Sequence, residues 1–132
     1  MTHICIHTGY NKRYIQFFQF IIPVQIREPG HWLDLVQRER VTVWNTVPAM
    51  MKMLIEYKSA LQGMQKGTLR LVLLSGDWLP LELPDQIRGH YDAEVVSLGG
   101  ATEASIWSIL YPIGRVDPKW ESIPYGYPML NQ

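Results

Sequence analysis

From residue 31 onward the hydrophobic and polar positions alternate between helical and extended patterns. Residues 31–40 predict a helix, with Trp32, Leu35 and Val36 on one face and charges on the other. Residues 41–47 (VTVWNTV) are rich in β-branched side chains and predict a strand. Pro48 then stands where a helix can begin, since a missing N–H costs nothing there. Met50, Leu54, Tyr57 and Leu61 recur at helical spacing and predict an apolar stripe, with Gly63 placed to end it. Residues 69–74 are almost all apolar, as in a strand buried on both faces. Ser75, Gly76 and Asp77 turn the chain. Residues 84–90 predict a short helix and residues 93–98 another buried strand. Gly99 and Gly100 break that strand, and residues 101–111 continue as a mixed apolar segment. Residues 114–132, with Pro118, Pro124 and Pro128, read as loop.

Strand, helix, strand, helix, strand is the order of an α/β fold with mostly parallel strands and crossover helices. Ligands of such sheets sit beyond the carboxyl ends of the strands. Three segments converge there: residues 45–47, 73–77 and 98–103.

Residues 1–26 follow a different pattern. Residues 15–22 form a short apolar run behind Lys12 and Arg13, the order of a secretory signal. Gln16 and Gln19 interrupt the run, Pro23 ends it, and no small-residue cleavage site follows, so a buried strand is the plainer reading. His3, Cys5 and His7 alternate, so a strand would put three zinc-competent side chains on one face, but no fourth ligand stands nearby. The chain is therefore divided into residues 1–26 and a domain of residues 27–132.

Composition narrows the function. At 132 residues the chain has room for one small domain, and 47% hydrophobic with 18% charged residues is globular. Twelve basic residues balance twelve acidic ones, so the cationic surplus that nucleic acid requires is missing. The single cysteine fits a reducing, cytoplasmic compartment, and no apolar run approaches the roughly 20 residues of a membrane span.

The stretch with most chemistry is Ser97-Leu98-Gly99-Gly100-Ala101-Thr102-Glu103. Glycines let a ligand approach the backbone. A threonine hydroxyl can donate to a phosphate oxygen. A carboxylate beside a phosphate needs a divalent cation between them, which makes Glu103 a candidate Mg²⁺ ligand. The plain alternative is a Gly-Gly turn with Thr102 capping a helix.

Residues 27–132 resemble the middle of an adenylation domain of a nonribosomal peptide synthetase. Gly100-Ala101-Thr102-Glu103 resembles the family's G-P-T-E nucleotide motif, and Leu73-Leu74-Ser75-Gly76-Asp77 its preceding strand and turn. Residues 41–48 resemble the strand and helix start beside the amino-acid pocket. Residues 123–128 with Asn131 resemble the loop after it. The resemblance implies the large N-terminal subdomain of an adenylate-forming enzyme, using ATP and Mg²⁺. It implies Thr102 on the α-phosphate and Glu103 on Mg²⁺ as the catalytic pair. It implies Gly76, Asp77, Gly99 and Gly100, with Thr102, around the nucleotide. It places Asn45, Leu73, Ser75, Leu98, Ile106 and Trp107 in the amino-acid pocket, a set similar to that of cysteine-activating domains. The implied partners are carrier, condensation or cyclisation domains, the first bearing a phosphopantetheine thiol.

Four of those six pocket residues are apolar, which suits a thiol that is cheap to desolvate. A serine hydroxyl buried there without a partner would lose roughly 1–3 kcal/mol. Taken singly, Leu73, Leu98, Ile106 and Trp107 also read as plain core, and Asn45 as a strand-end turn residue. Departures from the family pattern are Gly99 in place of an aromatic and Ser97 in place of an asparagine. No phosphate loop with its lysine is found, and the ribose-binding aspartate, hinge and catalytic lysine are expected beyond Gln132. The expectation is a truncated or misassembled reading frame that is inactive alone and exposes an uncovered sheet face. Other classes stay open: a non-catalytic α/β binding module, an interaction fragment that pairs with a separate remainder, or a piece of an acyl-CoA synthetase. A long acyl tail needs an open tunnel, which Asn45 and Trp107 argue against.

Overall fold

A proline opens every helix among the described residues: α1 (Pro29–Arg38), α2 (Pro48–Ala60) and α3 (Leu83–His90) each carry one in the first two positions. None of the three has a side-chain cap, so proline's preset backbone marks the start instead. The computed structural model describes residues 28–63, 65–100, 107–124 and 126–130, and the backbone of residues 4–8 and 17–20. The strands are β1 (Ile4–Thr8), β2 (Phe17–Phe20), β3 (Val41–Thr46), β4 (Leu71–Ser75), β5 (Glu94–Gly99), β6 (Ile109–Pro112) and β7 (Tyr127–Pro128).

They form one seven-stranded sheet in the order β2-β1-β3-β4-β5-β6-β7. Parallel pairing is confined to β3, β4 and β5, and every other pairing is antiparallel, so the α/β sheet is mixed. β1 and β2, from the segment before residue 27, join the sheet by pairing β1 with β3. The two crossovers, β3-α2-β4 and β4-α3-β5, step across the sheet in the same direction. Right-handed crossovers of that kind leave their helices on one face. One core results: Trp32, Leu35 and Val36 of α1, Met51, Leu54 and Ile55 of α2, and Leu83 and Ile87 of α3 pack with Trp44, Val72, Leu74 and Val95 of the sheet. Among the described residues no helix covers the other face.

That one-sidedness corrects the reading of residues 69–74 as buried on both faces. In β4, Val72 and Leu74 are buried while Leu71, Leu73 and Ser75 are only half-buried. The stripe of α2 is also rotated from the expected one. Met51, Leu54, Ile55 and Lys58 are buried, and Tyr57 and Leu61 are exposed. A lysine takes the core position because its ammonium finds partners there. Lys58 Nζ donates to the Gln65 carbonyl at 2.9 Å and stands 5.3 Å from the centroid of the Tyr91 ring. Tyr91 in turn packs against Gly67, where any Cβ would strike the ring.

Polar links join the helix ends. Ser59 Oγ donates to the Ile55 carbonyl at 2.8 Å, and its only proton is thereby used. The contact of 2.8 Å between Ser59 Oγ and His90 Nε2 is then a bond donated by the imidazole. Arg88 of α3 donates to Asp85 at 2.9 Å and to the Ile113 carbonyl just after β6. No helix among the described residues is long and apolar enough to cross a membrane.

Candidate functional site

The pleat of the sheet sorts the candidate residues. Thr46, 3% exposed, donates through Oγ1 to Met50 Sδ at 3.4 Å and so faces α2. Its neighbour Asn45 therefore faces the side without helices. Register aligns Asn45 with Leu73 and Val96 in one row, and Ser75 with Leu98 and Leu110 in the next. Asn45, Leu73, Ser75 and Leu98 thus form one contiguous patch of the helix-free face, on three adjacent strands.

Burial within the patch is uneven. Leu98 is 8% exposed yet stands apart from the helix-side core. Asn45 is 7% exposed. A buried carboxamide normally satisfies its donors and acceptor. Asn45, aligned with Leu73 on the helix-free face, offers such groups to a ligand.

The glycines mark the rim. Gly76 follows β4 with φ 85° and Gly100 follows β5 with φ 150°, conformations that favour a residue without a side chain. Gly99 ends β5, and its carbonyl accepts the Ser108 N–H at 2.9 Å. That bond sets the backbone of Trp107 beside the rim, with the residue 37% exposed. Trp107 is at the end of β5 and not in the strand patch itself. Asp77 Oδ1 accepts the Trp78 N–H at 2.7 Å, which closes the turn after β4. Asp77 then lines a small cleft with Trp78, Leu79, Ser97, Ser122 and Ile123, on the helix side of the sheet.

The structure therefore splits the predicted set. It gathers Asn45, Leu73, Ser75 and Leu98, sets Gly76, Gly99 and Gly100 along the strand ends, and turns Asp77 toward the opposite side. Ala101, Thr102, Glu103 and Ile106 lie outside the described residues, as do the side chains of His3, Cys5 and His7. Among the described residues no three His, Cys, Asp or Glu side chains converge on a metal position. Trp78 and Ser122 were not legible as site residues, because loop packing alone brings them to the cleft.

The family model of the AMP-binding enzymes matches residues 18–132. The chain belongs to the AMP-binding enzyme family. It is similar to the anguibactin system regulator of Vibrio anguillarum, 43% identical over 107 residues, which are 80% of this chain and 10% of that protein. It is also similar to bacitracin synthase 1 of Bacillus licheniformis, 52% identical over 100 residues, which are 75% of this chain and 2% of that protein. Among solved structures, the nonribosomal peptide synthetase FmoA3 in its AMPPNP-bound form aligns with a TM-score of 0.75 at 43% identity, covering 83% of this chain and 12% of that one. The chain thus spans a tenth or less of the length of these two curated relatives. The AMP-binding match covers the helix-free patch and the glycine rim alike.

Proposed function

We propose that this chain forms part of the amino-acid wall and nucleotide rim of an adenylation unit of a nonribosomal peptide synthetase, and that its amino acid is L-cysteine. The patch of Asn45, Leu73, Ser75 and Leu98 carries the reading, because register sets a carboxamide and a hydroxyl beside two leucines on the helix-free face. Asn45 and Ser75 supply hydrogen-bonding groups along β3 and β4. Leu73 and Leu98 supply an apolar surface on which a thiol is desolvated cheaply. Ile106 and Trp107 complete the wall beside the rim.

The glycines suit the base edge of a nucleotide, since Gly76 and Gly100 leave room at adjacent strand ends, while Asp77 would border it only from the turn after β4. Thr102 would hold the α-phosphate and Glu103 the Mg²⁺. ATP, when bound, supplies the α-phosphorus that the amino-acid carboxylate attacks with loss of pyrophosphate. The chain's own contribution is positioning and charge neutralisation, which can supply much of the acceleration of such a step. The phosphopantetheine thiol of a carrier domain, beside condensation or cyclisation domains, would then take the acyl group with loss of AMP and of the thiol proton. The reaction takes place in the cytoplasm.

The test is calorimetric titration of the full chain with L-cysteine and with a non-hydrolysable cysteinyl adenylate analogue, compared with L-serine. Cysteine binding that is lost in Asn45→Ala, and analogue binding that is weakened in Thr102→Ala and Glu103→Gln with Mg²⁺ present, is the expected result. Equal binding of serine and cysteine would remove the cysteine assignment. Binding of neither amino acid nor analogue would remove the whole reading. Pyrophosphate release by the chain alone is expected to stay at background.

A further inference from the structure

We infer that Val96, with Leu110 beyond it, is a further wall of the amino-acid pocket and sets its depth on the β5 and β6 side. The inference rests on the proposed reading of the helix-free patch as a substrate wall.

Register places Val96 directly across from Leu73, in the row that begins at Asn45. It also lies two residues before Leu98 on β5, and so on the same face. Neighbouring strands are about 4.8 Å apart, and residues two apart on a strand are about 6.6 Å apart. Val96 is thus at the inner corner between Leu73 and Leu98, close enough for a side chain seated on one to touch it. Its flanking residues face the other way: Val95 is in the helix-side core, and Ser97 lines the cleft with Asp77. Leu110 extends the second row by pairing with Leu98. Both Val96 and Leu110 are only half-buried, so each presents surface to an occupant.

The two rows divide by chemistry. Hydrogen-bonding side chains, Asn45 and Ser75, are on β3 and β4. Val96, Leu98 and Leu110 give the β5 and β6 side hydrocarbon alone. The charge nearest along β5, Glu94, is one row farther from the strand ends and exposed. A small, uncharged substrate side chain fits, with any polar atom directed toward β3. The branched methyls of Val96 close the site against a longer chain. Removing them in Val96→Ala deepens the site, and Val96→Phe fills it.

The test is methyl NMR on the full chain, labelled at valine and leucine, during titration with L-cysteine. The methyls of Val96, Leu73 and Leu98 are expected to shift together with one apparent Kd, while helix-facing Val95 and Leu74 stay still. Val96→Phe is expected to weaken cysteine binding on the order of tenfold, and Val96→Ala to shift preference toward L-methionine by a similar factor. Leu71→Phe, one row farther from the strand ends, should leave binding unchanged. Shifts at Leu73 and Leu98 with Val96 silent would overturn the role of Val96 and leave the pocket reading standing. Silence at all three with millimolar cysteine would overturn both.

Discussion

Lys58 and Tyr91 meet inside the fold, with the ammonium 5.3 Å from the ring centroid and both residues almost without solvent contact. The charge is accepted by one carbonyl and one aromatic face, and burial lowers the lysine's pKa from its ordinary value. The Tyr91 hydroxyl is buried with no hydrogen-bond partner, and burial pushes it up to about 12.

Opposite pH slopes follow from this pair. As pH rises toward the ordinary lysine value of 10.5, the unfolded chain holds more protons at this position than the folded one, so Lys58 makes stability rise. Between pH 10 and about 12 the unfolded tyrosine loses its proton first, so Tyr91 makes stability fall. Lys58→Met should remove the rise and change stability at neutral pH by less than about 1 kcal/mol, because a buried charge is exchanged for a side chain of similar volume. Tyr91→Phe should remove the fall and cost nothing, since the lost hydroxyl had no partner. Denaturant midpoints measured from pH 7 to 11 check both variants.

His90 carries a related effect at acid pH. Burial first, and the Lys58 charge second, hold its pKa below the ordinary 6.5. The unfolded chain therefore takes up this proton before the folded one, and stability should fall as pH drops below about 6.5, until the folded value is passed. In Lys58→Met the imidazole should titrate closer to 6.5 without reaching it, because burial remains. An NMR titration of the His90 ring in both chains reads this directly.

Two glycines are there for contact. A Cβ on Gly67 would strike Tyr91 Cε1, and one on Gly126 would strike the Leu110 carbonyl from a backbone at φ 108°. Gly67→Ala should destabilise by about 1–3 kcal/mol through overpacking. Gly126→Ala should chiefly detach β7 from β6, which amide exchange at Leu110 and Tyr127 would show as lost protection while the helix-side core keeps its own.

Asn45 should show the opposed effects of a binding residue. A carboxamide costs more to bury than a leucine side chain, so Asn45→Leu should leave stability equal or higher while abolishing cysteine binding. Thermal midpoint and calorimetric titration of the same preparation separate the two effects. A large stability loss would show Asn45 to be a structural residue.

Several of these relationships were open to reading in the sequence. The start of α2 was legible because Pro48 marks it locally, whereas α1 begins at Pro29, two residues before the predicted helix. The patch was half legible: Leu73, Ser75 and Leu98 alternate within two apolar strands, and the family resemblance named them together with Asn45. Val96 alternates with Leu98 in the same way, yet in a run of valines and leucines nothing local says which alternate set meets the helices. Trp78 and Ser122 carried no signal, because the loops that hold them are far apart in the chain.

The order of elements from α1 to β5 and the turn after β4 were determined by the sequence itself, since each depends on residues close together along the chain. Tertiary structure alone decided which face of each element is covered. Two right-handed crossovers in one direction stack the helices on one side of the sheet. That leaves Asn45, Leu73, Ser75 and Leu98 together on the other. The same packing let Lys58 displace Tyr57 and Leu61 from the core, because the partners that make its burial tolerable, Gln65 and Tyr91, reach it only once β4 and β5 have paired.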